Sequence, residues 1–156
     1  LLLYEINTKA SRFNSYRELI NAWTCAPIEC PIETTRNNQS EFSKTGGIHA
    51  SGLFDRNGTL ISIREDVGRH NALDKLIGNI LKNNQLDPTT QFITCSGRLN
   101  FELVQKVLMT NIGIMIGVGA PTSLAIDLAN KFDMTLIGFV KGDSFNIYTN
   151  NQKITI

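Results

Sequence analysis

From Gly46 onward, the chain alternates short apolar segments with segments of helical periodicity, and this alternation restricts the fold more than any other feature. The segment 112–118 is almost entirely apolar, as expected for a strand covered on both faces. The order β-β-α-β-α-β-α-β predicts an α/β layer sandwich with a mixed sheet, in which helical crossovers join the later, parallel strands. Predicted strands cover 48–54, 59–64, 92–95, 112–118, 135–140 and, at the sheet edge, 145–148; predicted helices cover 71–83, 100–110 and 123–132.

Residues 1–44 differ from this pattern. Segment 12–20 has the periodicity of a helix, and Pro27 and Pro31 then exclude regular helix between them. The polar segment 34–40 is typical of a loop or of the exposed start of a helix that ends near Lys44. We therefore predict that 1–44 is a partial N-terminal segment or linker and that 45–156 is one domain.

The composition excludes several classes of protein. A net charge of +1 over 156 residues lacks the basic excess of a nucleic-acid binder. No apolar run approaches the roughly 20 residues that span a bilayer. The sequence has an odd number of cysteines, Cys25, Cys30 and Cys95. An odd number favours reduced thiols in the cytosol over a disulfide framework. His49 and His70 are the only histidines, and their surroundings predict no zinc or other metal site.

The segment 61–78 joins an apolar alternation to a helical pattern through a dense charged run from Arg64 to Lys75. One interpretation is a solvated loop with a helix cap. The other is a ligand site, because α/β proteins place ligands where strands lead into helices. Within the run, His70 is a candidate donor to a ligand.

Three predicted strands end in glycine, hydroxyl and cationic residues. Because the carboxyl ends of parallel strands lie at one edge of a sheet, these loops are expected to meet there. Helix N-termini and the cations Arg98 and Lys141 suit an anionic, phosphate-bearing ligand, although each loop alone is also typical of an ordinary cap or turn. The residues are Ser96-Gly97-Arg98, Gly119-Ala120-Pro121-Thr122-Ser123 and Lys141-Gly142-Asp143-Ser144, and His49 follows Gly46-Gly47 into a strand.

Several longer motifs resemble the FdhD family of formate dehydrogenase accessory proteins. They occur in the family's order over about residues 42–150, and the charged run is the most specific of them. The matching motifs are Thr45-Gly46-Gly47-Ile48-His49-Ala50, the run from Arg64 to Lys75, Ser96-Gly97-Arg98, Phe101 to Lys106, Ala120 to Ala125, Leu136 to Phe139 and Asn146 to Thr149.

The resemblance implies a cytidine-deaminase-like three-layer α/β/α fold and a cytoplasmic homodimer. It further implies a sulfur carrier that takes persulfide sulfur from a cysteine desulfurase. The sulfur passes to the molybdenum bis(molybdopterin guanine dinucleotide) cofactor that formate dehydrogenase requires, and GDP serves as an analogue of that cofactor. Cofactor binding is assigned by position to Phe139, Val140, Lys141, Gly142, Asp143 and Ser144, and we add His49, His70, Ser96, Arg98, Thr122 and Ser123.

The cysteines depart from the family pattern. The family carries its persulfide in a Cys-x-x-Cys loop, whereas Cys25 and Cys30 are separated by four residues. Either of them is a candidate acceptor, since an exposed thiolate can take up sulfane sulfur. The alternative is a truncated or diverged binding module that holds the cofactor or a guanine nucleotide without transferring sulfur. In both cases the charged run is expected to shape the site, or to hold its loops through paired charges, rather than to react. The zinc-deaminase motif is absent, so deamination is not expected.

Overall fold

A seven-stranded mixed sheet forms the centre of the molecule, in the order β1-β7-β6-β5-β4-β2-β3. The computed structural model describes residues 11–13, 30–141 and 144–150. The strands are β1 (Ser11–Phe13), β2 (His49–Asp55), β3 (Leu60–Asp66), β4 (Gln91–Cys95), β5 (Ile114–Gly117), β6 (Thr135–Lys141) and β7 (Ser144–Ile147). The helices are α1 (Pro31–Asn37), α2 (Ser40–Thr45), α3 (Arg69–Lys82), α4 (Phe101–Leu108) and α5 (Ser123–Lys131).

The topology confirms the predicted α/β sandwich with a mixed sheet. Strands β4, β5 and β6 are parallel and are joined by crossovers through α4 and α5, whereas the remaining pairs are antiparallel. Strand β7 was expected at the edge of the sheet, but β1 pairs with its outer side, so this detail was wrong. Since residues 11–13 form β1, the predicted helix over 12–20 is also wrong at its start, and its remainder lies outside the described residues.

Successive apolar side chains of the central strands point to opposite faces of the sheet and form two apolar clusters, one on each face. Leu73, Leu76 and Ile80 lie on one side of α3 and are fully buried in the larger cluster, together with residues of α4 and α5. The smaller cluster lies on the opposite face, where Phe54 and Phe92 stack with ring centroids 5.2 Å apart. Ile32 of α1 packs against this second cluster, so helices cover both faces of the sheet.

One edge of the sheet collects the segments that sequence analysis singled out. Strands β4, β5 and β6 all end there. Because β2 is antiparallel to β4 and β3 is antiparallel to β2, the start of β2 and the end of β3 lie at the same edge. The predicted meeting of these loops at one edge is therefore confirmed. We call it the carboxyl edge.

The segment before Gly46 contributes to this packing where the structure describes it. Helix α1 contacts β2, β3 and β4, and Thr35 Oγ1 lies 2.9 Å from Thr94 Oγ1 in β4. The division into 1–44 and 45–156 stays a prediction. None of the helices that the structure describes is both long enough and apolar enough to traverse a bilayer.

Candidate functional site

A cavity of about 760 Å³ opens at the carboxyl edge, on the face of the sheet that carries α1. Its walls come from four parts of the chain: the segment from α1 to the start of β2, the end of β4, the end of β5, and the β6–β7 hairpin. The lining residues are Cys30, Ile32, Glu33, Thr35, Arg36, Gln39, Phe42, Gly46, Gly47, Ile48, His49, Ser96, Val118, Phe139, Val140, Lys141 and Ser144.

The cavity brings together seven of the residues that were predicted from the sequence. They are Cys30, His49, Ser96, Phe139, Val140, Lys141 and Ser144. Their common location agrees with a single site, while their individual roles stay predictions. Cys25, Gly142 and Asp143 lie outside the described residues.

Four other predicted residues lie at the same edge but outside the cavity lining. Thr122 caps α5, with its hydroxyl accepting a hydrogen bond from Ala125 N–H at 3.3 Å, and Ser123 is the first residue of that helix. Arg98 is exposed in the loop after β4. His70 Nε2 lies 2.8 Å from Glu102 Oε2 in α4, so His70 joins α3 to α4. Ligand binding by these four residues stays a prediction.

A β-bulge presents Phe139 to the cavity. The register between β6 and β7 shifts between Gly138 and Lys141, and Phe139 adopts a φ of 53°, which is strained for a bulky side chain. Gly138 allows the neighbouring chain to approach, because a Cβ there would lie 2.9 Å from the carbonyl oxygen of Gly119. The Phe139 N–H donates to that same oxygen at 3.3 Å. The result is that Phe139 is 49% exposed between the buried residues Gly138 and Val140.

Ser96 and His49 form a polar pair on the cavity wall. His49 Nδ1 lies 3.1 Å from Ser96 Oγ, and the backbone N–H of Ala50 donates to the same oxygen at 2.9 Å. The pair therefore joins the start of β2 to the residue that follows β4.

Sequence reasoning missed the wall made by α1 and α2. Arg36 lies over the ring of Phe42, 5.3 Å from its centroid, and both line the cavity together with the buried Gln39. Pro31 at the first position of a helix was an available signal for α1. No local signal placed this helix beside β2 and β4.

Glu65 of the charged run fixes this wall. Its carboxylate accepts hydrogen bonds from the backbone N–H groups of Glu41 and Phe42, each at 3.0 Å, at the first turn of α2. The side chains of Gln39 and Ser40 donate to it as well. Partial burial pushes the pKa of Glu65 upward, but these donors outweigh burial and hold the pKa below its ordinary value.

Arg64 and Asp66 bind the opposite helix layer. Arg64 donates to the side-chain oxygen of Asn79 in α3. The Asp66 carboxylate lies 2.5 Å from Lys75 Nζ and accepts from Gly68 N–H at 2.9 Å. The Lys75 ammonium, the Gly68 N–H and the Asn71 amide lower the pKa of Asp66 to about 2. The Asp66–Lys75 ion pair agrees with the expectation that the run holds neighbouring segments through paired charges, whereas Arg64 acts through a hydrogen bond to a neutral amide.

The two described cysteines occupy different environments. Cys30 immediately precedes α1, is partly buried and lines the cavity. Cys95 lies within β4, where burial raises the pKa of its thiol to about 11, so it stays protonated at neutral pH. Of the two cysteines that the structure describes, Cys30 is therefore the candidate for a reactive thiol. The described residues contain no cluster of three or more His, Cys, Asp or Glu side chains that could hold a metal ion.

The chain matches a protein-family model over most of its length. The model of the FdhD/NarQ family matches residues 18–155. The chain belongs to the FdhD/NarQ family. This match begins well before the segment 42–150 on which the resemblance was based, and it includes Cys25 and Cys30.

Curated relatives and a solved structure agree with this membership. The sulfur carrier protein FdhD of Sulfolobus acidocaldarius is 48% identical over 124 residues, which cover 80% of this chain and 49% of the relative. Its counterpart in Saccharolobus solfataricus is 41% identical over 152 residues, covering 97% and 56%. The chain thus spans about half the length of the curated relatives it matches.

The crystal structure of a candidate formate dehydrogenase accessory protein from Desulfotalea psychrophila superposes with a TM-score of 0.72 at 28% identity. The superposition covers 82% of this chain and 56% of that one. This similarity supports the α/β fold described above.

Proposed function

We propose that this chain carries sulfur as a persulfide on Cys30 and passes it to the molybdenum bis(molybdopterin guanine dinucleotide) cofactor for formate dehydrogenase. The observation that carries the proposal is that Cys30 lines the same cavity as Phe139, Val140, Lys141 and Ser144. These four residues are the described part of the segment to which the family resemblance assigns cofactor binding. The name of the curated relatives, sulfur carrier protein FdhD, supports the same role.

The loading step is a thiol–persulfide exchange with a cysteine desulfurase. The Cys30 thiolate attacks the outer sulfur of the desulfurase persulfide, and the sulfur–sulfur bond on the desulfurase breaks. The desulfurase keeps the electron pair as its own thiolate, and Cys30 gains the outer sulfur. In this loading step, electrons balance without a further oxidant or reductant.

The cavity suits the nucleotide part of the proposed substrate. Its volume, about 760 Å³, lies within the range of roughly 300–1,000 Å³ that small-molecule sites occupy. Arg36 and Lys141 supply cations for phosphate, and Phe42 and Phe139 supply aromatic surface for a planar ring. GDP is therefore an appropriate probe of the site.

Persulfide loading tests the role of Cys30. The full chain is incubated with a cysteine desulfurase and cysteine, and mass spectrometry then detects added sulfur. We expect the wild type and Cys95→Ser to gain sulfur and Cys30→Ser to lose this capacity, because buried Cys95 stays protonated. Loading that persists in Cys30→Ser and disappears in Cys25→Ser would assign the acceptor to Cys25 instead. A wild type that gains no sulfur would support the binding-module alternative.

Calorimetry with GDP tests the ligand. Lys141→Ala is expected to reduce affinity roughly tenfold or more, since a hydrogen bond to a charged group is worth about 1.5–3 kcal/mol. Lys131→Ala is the matched control, because Lys131 ends α5 at the opposite edge of the sheet. Unchanged affinity in Lys141→Ala would remove Lys141 from the site. Reduced affinity in Arg98→Ala or His70→Ala would extend the site along the carboxyl edge, as the sequence predicted.

The proposal includes a cytoplasmic homodimer that meets both the cysteine desulfurase and formate dehydrogenase. Sedimentation velocity on the full chain measures the oligomeric state directly, and a species with the mass of one chain would contradict the dimer.

A further inference from the structure

The hydrogen bond between Ser96 and His49 has a preferred direction. Ser96 Oγ accepts the N–H of Ala50 at 2.9 Å, and the remaining close polar atom is His49 Nδ1 at 3.1 Å. Within the part of the chain that the structure describes, Ser96 Oγ and His49 Nδ1 have no other partners. The position of the imidazole proton therefore follows from the donors and acceptors available.

The hydrogen atom between Ser96 Oγ and His49 Nδ1 can belong to either of the two groups. If Nδ1 carried the proton, Ser96 Oγ would accept two hydrogen bonds, and its own O–H would find no acceptor among the described residues. If instead the Ser96 O–H donates to Nδ1, every one of these groups is satisfied. The second arrangement leaves the proton of the neutral ring on Nε2.

We propose that Ser96 fixes His49 as the tautomer protonated on Nε2, and that this N–H donates into the cavity to a phosphate oxygen of the bound ligand. His49 lines the cavity. Its Nε2 atom has no hydrogen-bond partner among the described residues, and it is not one of the buried polar atoms that lack a partner. A neutral N–H donor is a common partner of phosphate oxygens. Ser96 is a positioning residue, because it acts through His49. The choice of ligand rests on the function proposed above, whereas the tautomer does not.

Nitrogen NMR of the chain carrying isotope-labelled histidine tests the tautomer. The sequence has two histidines, so His70→Gln assigns the signals. At about pH 8.5, above the usual titration range of imidazole, we expect the His49 proton on Nε2 in the wild type. Ser96→Ala should shift the ring toward a mixture of tautomers, and Ser96→Thr should restore the preference. A wild-type ring protonated on Nδ1 would overturn the proposal, whether or not the Ser96 variants fold.

Binding of GDP and of guanosine tests the donor. The amide nitrogen of glutamine reaches about as far as Nε2, and that of asparagine about as far as Nδ1. We therefore expect His49→Gln to bind GDP nearly as the wild type does, and His49→Asn to bind it roughly tenfold more weakly. Because guanosine lacks phosphate, neither change should alter its affinity. Equal losses in both variants, or an equal loss for guanosine, would contradict the phosphate contact.

The outcomes separate this inference from the proposed function. Sulfur loading on Cys30 together with an Nδ1-protonated His49 would leave the sulfur-carrier role intact and remove this inference. A wild type that fails to bind GDP would remove the phosphate contact, even if Cys30 accepts sulfur.

Discussion

Arg64, Glu65 and Asp66 show how consecutive side chains at the end of β3 divide between two layers. Successive residues in a strand point to opposite faces of the sheet. Arg64 and Asp66 accordingly reach α3, whereas Glu65 between them reaches α2 on the other side. Because an unpaired charge is costly to bury, each of these three side chains has polar partners. Those contacts hold the helices that flank the site.

The pairing of Asp66 predicts a pH-dependent contribution to stability. Its pKa is about 2 in the folded chain, below the ordinary 3.8, so the contribution is present above the ordinary value and is lost as the pH falls through about 2. Asp66→Asn should therefore be less stable than the wild type at pH 7, and the difference should shrink between about pH 4 and pH 2.

Urea unfolding of both proteins at a series of pH values measures this difference. Asp127→Asn is the control, because the side chain of Asp127 has no ion-pair or hydrogen-bond partner among the described residues. A stability difference for Asp66→Asn that is the same at every pH would show that Asp66 does not act through its charge.

At the scale of elements, α2 depends on a residue that is distant in sequence. It has six residues and none of them is buried, so neither propensity nor apolar burial alone explains its position. The Glu65 carboxylate satisfies two of the N–H groups that the start of a helix leaves without intrahelical partners. Since Phe42 of α2 lines the cavity, this contact also shapes the site.

Removing the carboxylate should loosen the start of α2. In Glu65→Ala we expect the backbone amides of Glu41 and Phe42 to exchange with solvent roughly tenfold faster or more, because hydrogen bonds to charged groups contribute about 1.5–3 kcal/mol. Hydrogen-exchange NMR measures the two rates. In the control Glu102→Ala, which lies in α4, both rates should match the wild type. Unchanged rates in Glu65→Ala would mean that other contacts hold α2.

At the scale of the whole molecule, the two apolar clusters give the sheet a rigid centre and leave one edge for function. Helix α3 demonstrates the division, because Leu76 is fully buried in the larger cluster while Leu81, five residues later, is 53% exposed. The site is then assembled at the carboxyl edge from loops that this core holds in place.

The same helix supplies a test of the core. Leu76→Ala should lower the free energy of unfolding by about 2–5 kcal/mol, since it removes packed side-chain volume and leaves a cavity. Leu81→Ala is the matched control and should change it by less than about 1 kcal/mol. Guanidinium unfolding measures both, and equal effects would contradict the assignment of Leu76 to the core.

Much of the fold could be predicted because strands and helices leave local periodic patterns. The β2–β3 hairpin illustrates this: the turn at 55–58 lies where expected, with Gly58 at a φ of 80°. The helix predicted over 12–20 is wrong at residues 12 and 13, where pairing with β7 outweighs local periodicity. A short segment carries too little local information to oppose such a contact.

The sequence by itself determined the order of elements from Gly46 onward, the motifs of the FdhD/NarQ family and the edge at which strand ends meet. Tertiary structure alone decided which of those residues share a cavity. Cys30, Arg36 and Phe42 are far from β6 in sequence. They share a cavity with Phe139 and Lys141 only because α1 packs against one face of the sheet and Glu65 holds the start of α2. The physical reason is that periodicity records which face of an element is buried, whereas the partner of that face depends on strand order, register and long-range pairs such as that between Glu65 and α2.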